Sequence, residues 1–328
     1  MAGHPSEVLY DGAGAPVVLP VCDHYAGSEA RLLKALALQA ELGPVFDVTA
    51  DCEDGAEVGR EARHAAMVAE LLVSAENRFE RLGVRIHDPG HRAWHADVEC
   101  IVGRAGDRLP FITIPKVSAA EDVDRVVGAI DDVAVQSGVR REIPVHVLIE
   151  THGALRDVQR IAAHPRVECL AFGLLDYVSA FDGMVPAEAM HSPGQFQHPL
   201  VCRAKAEIAV AAHTAGKVAA HSVCIDIGDG QAAGADARRA AAEYGFARMW
   251  SIHPAQIAPI VAALTPDAGA IRTASDVLLA ARAAQWGPIR HADRLQDRAS
   301  YRYWWGVLRR AHAAGAELPA EARRAFFA

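Results

Sequence analysis

Residues 45–54 read VFDVTADCED, a short and mostly apolar run that ends in three carboxylates, Asp51, Glu53 and Asp54. A run of this length that is rich in valine and phenylalanine is typical of a strand buried on both faces. Three like charges at the end of such a strand repel one another, and burial increases the cost. The stretch therefore predicts a buried strand whose acidic end is compensated by a nearby cation.

The same pattern, a short apolar run followed by a longer alanine-rich and charged segment, occurs eight times along the chain. The longer segments have the apolar spacing of amphipathic helices. Eight such units over about 250 residues favour an α/β fold of the (β/α)8 TIM barrel type, and a doubly wound open sheet is the alternative. The predicted strands are 16–23, 45–53, 82–88, 111–117, 144–150, 167–176, 217–226 and 246–254.

The periodicity changes near residue 265, and two helical segments, 274–287 and 297–315, follow without a strand between them. We therefore predict a catalytic barrel domain over 1–265 and a C-terminal helical segment over 266–328 that serves as a lid or an oligomer contact. An aromatic cluster in this segment favours packing or a subunit contact. Its members are Tyr301, Tyr303, Trp304 and Trp305.

Composition excludes several classes of function. The 328 residues are 51% hydrophobic and 23% charged, and the net charge of −8 leaves no basic stripe for nucleic acid. No run approaches the roughly 18 apolar residues of a membrane span, and the N-terminus lacks the features of an export signal, which predicts a cytoplasmic protein. The six cysteines include no CxxC pair, so we expect reduced thiols.

Most predicted strands end in a side chain that could perform chemistry, and in a barrel these ends converge on one mouth. In an open sheet they would spread along an edge. The strand-end residues are Asp23, Glu53 with Asp54, Arg85 with His87, Lys116, Glu150, Asp176, Asp226 and His253.

Two of these acids are suited to a metal ion. Glu150 and Asp176 follow strongly apolar predicted strands that are neighbours in the chain. Two carboxylates on a rigid frame, completed by water and substrate, are the usual way in which proteins hold Mg²⁺. Glu53 and Asp54 would then accept hydrogen bonds from the metal's waters. The alternative is a buried salt-bridge network without metal, in which the cations are Arg63, Arg85 and Lys116.

The two strand-end cations differ in what they can do. The planar guanidinium of Arg85 suits a carboxylate or an enolate, and it stays charged when it is desolvated. Lys116 could form a Schiff base, but the surrounding carboxylates oppose the lower pKa that this role needs. We therefore predict that Lys116 is a charge partner.

Eight motifs in order resemble the HpcH/HpaI aldolase and citrate lyase β-subunit family, in particular its CoA-ester lyase branch. They are TADCED (49–54), REARHA (60–65), GVRIHD (83–88), TIPKV (113–117), VLIETHGAL (147–155), LAFGLLD (170–176), HPLVCRAK (198–205) and MWSIHPAQI (249–257). The resemblance implies a Mg²⁺-dependent (β/α)8 barrel that assembles as a trimer or hexamer. It also implies retro-Claisen cleavage, or the reverse condensation, of a 3-hydroxyacyl thioester.

The resemblance assigns roles residue by residue. Glu150 and Asp176 match the metal ligands, Arg85 matches the binder of the substrate carboxylate or enolate, Glu53 and Asp54 match the acidic pair near the metal's water, and His253 with Pro254 match the IHP motif associated with the cofactor. An acid–base aspartate from the C-terminal segment of a neighbouring subunit is matched by Asp297, or less well by Asp293.

A departure from the family pattern near the N-terminus keeps other functions open. Asp23 and His24 stand near the place where relatives carry an arginine for the CoA phosphates, and an acid there opposes a phosphate. A metal-dependent aldolase for free 2-oxo acids such as pyruvate is therefore an alternative. A non-catalytic metabolite-binding protein or lyase-complex subunit is another.

A glycine pattern offers a further alternative. Gly228, Gly230 and Ala233 form a G-x-G-x-x-A sequence after a predicted strand, as in a dinucleotide site. The acidic residues around it oppose a pyrophosphate, and such a site also needs an open sheet.

Overall fold

The computed structural model describes residues 3–10, 14–228 and 230–327. Eight parallel strands close into one barrel, in which each strand pairs with the next and β8 pairs with β1. The barrel strands are β1 (Cys22–Ala26), β2 (Phe46–Asp51), β3 (Leu82–Arg85), β4 (Ile112–Ile114), β5 (Val145–Ile149), β6 (Val167–Phe172), β7 (Val218–His221) and β8 (Arg248–Ser251). The predicted (β/α)8 barrel is confirmed, and its closed sheet excludes the open-sheet alternative, which the Rossmann-type dinucleotide site requires.

Helices follow the strands, as the apolar spacing predicted. The α-helices of the described residues are α1 (Pro5–Val8), α2 (Glu29–Leu42), α3 (Glu61–Val73), α4 (Trp94–Ala105), α5 (Ala120–Ser137), α6 (His152–Arg156), α7 (Val158–Ala163), α8 (Leu174–Ser179), α9 (Pro199–Thr214), α10 (Gly230–Arg239), α11 (Pro254–Leu264), α12 (Ala268–Ala283), α13 (Arg298–Ala313) and α14 (Ala320–Phe326). None of the helices in the described part of the chain is long and apolar enough to cross a membrane. All six cysteines are free thiols, as predicted.

The chain divides into two compact units, the barrel over Cys22–Leu264 and a second unit that joins Met1–Val21 to Thr265–Ala328. The C-terminal helices follow the barrel, as expected. The division differs from the predicted one at the N-terminus, because Leu9 is buried in the same apolar core as Leu278 of α12 and Tyr301 of α13.

The second unit also contains an antiparallel hairpin, β9 (Ile289–His291) and β10 (Arg294–Gln296). Tyr301 and Trp305 are buried in the core of this unit, as the packing interpretation of the aromatic cluster predicted. Tyr303 is 64% exposed, so that it is free of this core.

The first strand lies later in the chain than predicted. The expected strand was 16–23, whereas β1 begins at Cys22 and ends at Ala26. Pro16 and Pro20 lack the backbone N–H that a ladder position requires, which explains why the earlier part is not a strand. Asp23 is therefore the second residue of the strand and not its polar end, so the prediction for Asp23 was wrong.

Asp23 instead belongs to a charged cluster among the barrel strands, which we call the inner cluster. Nη2 of Arg248 on β8 lies 2.8 Å from Oδ2 of Asp23, and its Nη1 donates to Oδ2 of Asp47 on β2 at 2.7 Å. Thr49 donates to Asp23 at 2.8 Å, and Arg81 lies 3.4 Å from Asp47. Each carboxylate of the inner cluster therefore contacts an arginine.

The sixth strand is shorter than predicted. The expected strand was 167–176, but β6 ends at Phe172, and Asp176 lies in the first turn of α8. Gly173 separates the two elements, and a Cβ at this position would overlap the side chain of Glu150. The chain therefore turns at Gly173, next to Glu150.

Candidate active site

Asp51 and Arg85 form the base of an acidic cluster at the C-terminal end of the barrel. They end β2 and β3 and are direct partners in the parallel register. Arg85 donates from Nε to Oδ1 of Asp51 at 2.8 Å and from Nη2 to Oδ2 at 2.6 Å. Burial alone would raise the pKa of Asp51, but Arg85 and the backbone amides of Glu53 and Gly55 lower it. Asp51 therefore stays ionised and holds Arg85 in one orientation.

Glu53 bridges the two cations of this cluster. Its Oε2 lies 2.9 Å from Nη1 of Arg85, and its Oε1 lies 2.7 Å from Nζ of Lys116. Burial raises the pKa of Glu53 despite these cations. Asp54 is more exposed and lies 3.2 Å from Nζ of Lys116. Part of the predicted salt-bridge network is thus present, formed by Arg85 and Lys116.

Lys116 contacts acids through both its side chain and its backbone. Its side chain contacts Glu53, and its backbone N–H donates to Oε1 of Glu150 at 2.7 Å. The backbone has a φ of 48°, a left-handed conformation that is uncommon outside glycine and is found mostly where the surrounding structure enforces it. Burial would lower the pKa of the Lys116 ammonium, but Glu53 raises it above its usual value. The predicted role of Lys116 as a charge partner is confirmed.

Glu150 and Asp176 form a second acidic group with no cation of its own. Glu150 directly follows β5 and is 2% exposed. Burial, and then the negative charge of Asp176, raise the pKa of Glu150 to about 8. Neither carboxylate forms an ion pair with any residue of the described chain. The Glu150–Asp176 pair is therefore the part of the mouth where positive charge is missing.

The residues of the mouth fit a hard divalent cation. The mouth has a formal charge of −3, because five acids and two bases meet there. The acids are Asp51, Glu53, Asp54, Glu150 and Asp176, and the bases are Arg85 and Lys116. No arrangement of three or more His, Cys, Asp or Glu side chains able to hold a metal occurs among the described residues. Two carboxylates with water and substrate in the other positions is the arrangement that Mg²⁺ commonly accepts, whereas Zn²⁺ sites need more protein ligands.

A cavity of about 540 Å³ adjoins the acidic cluster, and we call it the groove. Asp51 lines it together with residues that follow β1 and β8. The predicted cofactor residues His253 and Pro254 both line the groove. Arg31 and Lys34 of α2 also line it, are exposed, and form no ion pair with a described residue. The groove thus contains two free cations about one helical turn apart.

The position of Asp23 removes an objection to a phosphate in this region. The sequence suggested that Asp23 would oppose the phosphates of CoA. In the structure Asp23 is 2% exposed and paired with Arg248, and it does not line the groove. The neighbouring His24 does line the groove.

The predicted acid–base residue, Asp297, lies in the second unit. Asp297 is the N-cap of α13, and its side chain accepts hydrogen bonds from the backbone N–H groups of Ala299 and Ser300. Asp293 lies in the hairpin turn, where it pairs with Arg290 at 2.6 Å. The catalytic role of Asp297 remains a prediction.

Sequence reasoning missed two features of the mouth. Asp51 was quoted as one of three acids but received no role, although it shares the alternation of Asp47 and Thr49 and so faces the same way along β2. Tyr25 of β1 stacks on Trp250 of β8 with ring centroids 4.6 Å apart. No sequence signal could pair these two rings, because β1 and β8 are the most distant strands in the chain.

The fold and the site together define an enzyme of the (β/α)8 barrel class. Its two carboxylates without an ion-pair partner lie at the C-terminal end of the barrel, where such enzymes have their active sites. A family model described as HpcH/HpaI aldolase/citrate lyase matches residues 37–254. The chain belongs to this family, which comprises lyases.

Several known proteins are similar to the chain. The crystal structure of a citrate lyase from Burkholderia xenovorans is 54% identical, with a TM-score of 0.86 over 99% of this chain and 100% of that one. The L-malyl-CoA/β-methylmalyl-CoA lyase of Cereibacter sphaeroides is 29% identical over 87% of this chain and 92% of its own length. The CitE protein of Mycobacterium tuberculosis, solved with magnesium, acetoacetate and coenzyme A, has the same fold at 23% identity, with a TM-score of 0.66 over 92% and 99% of the two chains.

Proposed function

We propose that this protein is a Mg²⁺-dependent carbon–carbon lyase that cleaves, or in reverse condenses, a 3-hydroxyacyl thioester of the malyl-CoA or citryl-CoA type. The observation that carries the proposal is the pair of buried Glu150 and partly buried Asp176, with neither of which any side chain of the described residues forms an ion pair. These two carboxylates would hold the metal ion. When bound, Mg²⁺ would polarise the substrate oxygen and stabilise the enolate charge that develops.

The bonds that change in this reaction define what the chain must do. Loss of the 3-hydroxyl proton breaks the bond between carbons 2 and 3, and the products are a carbonyl compound and a thioester enolate. The enolate then takes up a proton and becomes the acyl thioester. The reverse condensation removes that proton and forms the bond. The protein must therefore stabilise the negative charge of the enolate and move a proton from the 3-hydroxyl group to the enolate carbon.

Arg85 is suited to bind the developing negative charge. Asp51 holds the guanidinium through two hydrogen bonds, so that little reorganisation is needed when substrate arrives. Nη1 of Arg85, which contacts Glu53, is the part of the fork that is not committed to Asp51. Glu53, held by Arg85 and Lys116, and the neighbouring Asp54 would accept hydrogen bonds from water at the site.

The groove supports a thioester of CoA as substrate. Arg31 and Lys34 supply two unpaired positive charges, which suit the phosphates of CoA. The L-malyl-CoA/β-methylmalyl-CoA lyases to which the chain is similar act on such esters by name. His253 and Pro254 would contact the same part of the substrate.

Asp297 is the candidate for the proton transfer, and the resemblance assigns this role to the tail of a neighbouring subunit. The proposal therefore includes a homo-oligomer, a trimer or hexamer. Light scattering on the purified protein checks the assembly, and a monomer at assay concentrations would contradict this part of the proposal.

A substrate screen tests the reaction itself. Purified protein is incubated with Mg²⁺ and malyl-CoA, β-methylmalyl-CoA or citryl-CoA, and the carbonyl and thioester products are measured. Parallel reactions use oxaloacetate or free 2-oxo acids plus an aldehyde, and all are repeated with EDTA. We expect metal-dependent cleavage of a thioester. Turnover of the free acids alone would favour the 2-oxo acid aldolase. Binding of CoA esters without any turnover would favour a non-catalytic subunit.

A further inference from the structure

His24 is a buried histidine with one engaged and one free ring nitrogen. It lies in β1 beside Ser251 of β8, and the two are direct partners in the register. Nδ1 of His24 is 3.0 Å from Oγ of Ser251. Oγ of Ser251 donates its hydrogen to the backbone carbonyl of His253, also at 3.0 Å. His24 itself is 3% exposed.

These contacts determine the tautomer of the ring. A serine hydroxyl has a single hydrogen, and Ser251 has already donated it to His253. Oγ of Ser251 must therefore accept from His24, which places the imidazole hydrogen on Nδ1. Burial lowers the pKa of His24 to about 4, although Asp23 acts in the opposite direction. The ring is neutral at pH 7, and Nε2 carries a lone pair.

Among the residues that the structure describes, Nε2 has no hydrogen-bond partner. The hydrogen bonds of the ring within the described chain are to Ser251 alone, and Nε2 is not one of the fully buried side-chain atoms that lack a partner. His24 lines the groove, so the groove is where a partner for Nε2 can approach. Because Nε2 is not fully buried and His24 lines the groove, a donor from water or from a ligand in the groove can complete it.

The chemistry of a lone pair limits what the ligand can offer. A neutral Nε2 acceptor repels a phosphate or carboxylate oxygen and attracts an N–H or O–H group. Arg31 and Lys34, in the same groove, attract the anionic end of a ligand. The ligand thus has an anionic end and a neutral hydrogen-bond donor. An acyl carrier whose thioester and phosphates are joined by an arm of amides has both.

We propose that Nε2 of His24 accepts a hydrogen bond from an amide N–H in the arm of the acyl carrier, and that Ser251 keeps this nitrogen unprotonated. His24 is then a residue that sets specificity for the carrier and takes no part in bond cleavage. The inference rests on the thioester lyase proposed above, since a free 2-oxo acid has no such arm.

Matched variants test the role of each nitrogen. His24→Phe keeps a flat ring and removes both nitrogens. His24→Asn keeps a donor for Ser251 but cannot reach the position of Nε2, whereas His24→Gln can place an oxygen near it. Binding of CoA and of pantetheine, which lacks the phosphates, is measured by calorimetry with Mg²⁺ present. Thermal unfolding identifies any variant that does not fold.

We expect His24→Phe and His24→Asn to lower the affinity for both ligands by about 3- to 10-fold, which is the effect of losing one uncharged hydrogen bond. His24→Gln should lower the affinity less. Arg31→Ala serves as the control: it should lower the affinity for CoA and leave the affinity for pantetheine unchanged. If folded His24→Phe binds both ligands with unchanged affinity, the role of His24 is overturned, while the proposed lyase function is unaffected. If wild-type protein binds neither ligand and cleaves no thioester, the proposed lyase function fails instead.

A measurement on the unmutated protein avoids the risk of misfolding. Nitrogen-15 NMR of labelled histidine distinguishes the two neutral tautomers and detects a hydrogen bond to Nε2. We expect hydrogen on Nδ1 of His24, and a shift of the Nε2 resonance when CoA or pantetheine is added. Hydrogen on Nε2 in the free protein, or an unchanged resonance with either ligand bound, would contradict the proposal.

Discussion

The barrel contains two clusters in which a buried arginine meets carboxylates, and they differ in charge balance. In the inner cluster, Arg248 contacts Asp23 and Asp47, and Arg81 contacts Asp47 as well, so two positive charges meet two negative charges. At the mouth, Arg85 donates two hydrogen bonds to Asp51 and also contacts Glu53. The mouth as a whole nevertheless keeps a formal charge of −3.

This difference indicates which cluster is structural and which is a site. A balanced buried cluster is complete without a ligand, and removal of one partner leaves an uncompensated charge. An unbalanced one is unfavourable until a cation enters, and proteins retain such arrangements at functional sites. The bidentate Arg85–Asp51 pair alone would not distinguish the two clusters. Glu150 and Asp176 make the distinction.

The largest expected effect tests the unbalanced cluster. Glu150→Gln and Asp176→Asn should each lower metal-dependent turnover by about a thousandfold or more, about 4 kcal/mol of transition-state stabilisation, because each removes a proposed Mg²⁺ ligand. Turnover of the thioester with and without EDTA measures the effect.

The fold of these two variants should change little. Each substitution removes one of two mutually repelling acids, so thermal unfolding without metal should occur at the same temperature or higher. The stabilisation that Mg²⁺ gives to the wild-type protein should disappear in both variants. Retained stabilisation by Mg²⁺ in both would show that the metal binds elsewhere.

The balanced cluster should respond in the opposite way. Arg248→Met leaves Asp23 and Asp47 buried without their main cation, and we expect a loss of about 3 to 5 kcal/mol in the free energy of unfolding. Urea denaturation measures this loss. Adding Asp23→Asn and Asp47→Asn should recover part of it, since the buried charges are then gone. A stable Arg248→Met protein with impaired turnover would mean that the inner cluster serves the reaction.

Much of this architecture could be predicted because it depends on local periodicity. The repeated strand and helix patterns predicted the barrel, and the apolar run before Glu150 predicted an acid at a strand end. Asp176 was harder, because LLD after Gly173 continues the apolar pattern of the strand. The close approach of Glu150 leaves no room for a side chain at position 173, a requirement that the sequence alone does not show.

The position of Asp23 could not be predicted from the sequence, because its partner Arg248 is 225 positions away and becomes a neighbour only when β8 closes on β1. The same closure brings Ser251 to His24, so the tautomer of that histidine has no sequence signal. Asp51 was accessible to prediction, since its spacing from Asp47 and Thr49 places it on one face of β2.

Glu150 of the unbalanced cluster should also make the stability of the fold depend on pH. Glu150 has a pKa of about 8 in the folded protein, whereas an unfolded glutamate has a pKa of about 4.3. Between these values the folded state keeps a proton that the unfolded state releases, so stability falls as pH rises. Glu150 contributes a slope of up to about 1.4 kcal/mol per pH unit.

Urea denaturation between pH 5 and 8 with EDTA measures this slope. Glu150→Gln should reduce the slope, because glutamine does not titrate. Mg²⁺ should also reduce it in the wild-type protein, since a metal favours the ionised carboxylate. Equal slopes for the wild-type protein and Glu150→Gln would contradict the assignment of the titration to Glu150.

The smallest expected effect on stability concerns Asp297, which belongs to neither cluster. Its side chain caps α13, so Asp297→Ala should cost about 1 kcal/mol, whereas Asp297→Asn keeps a good capping residue and should cost little. If Asp297 also transfers the proton, both variants should lose turnover, and the loss in Asp297→Asn would then be separate from stability. Urea denaturation and thioester turnover are measured on the same samples. Full turnover in Asp297→Asn would leave the capping role and exclude the acid–base role, which would restrict the search for the base to the acids of the mouth.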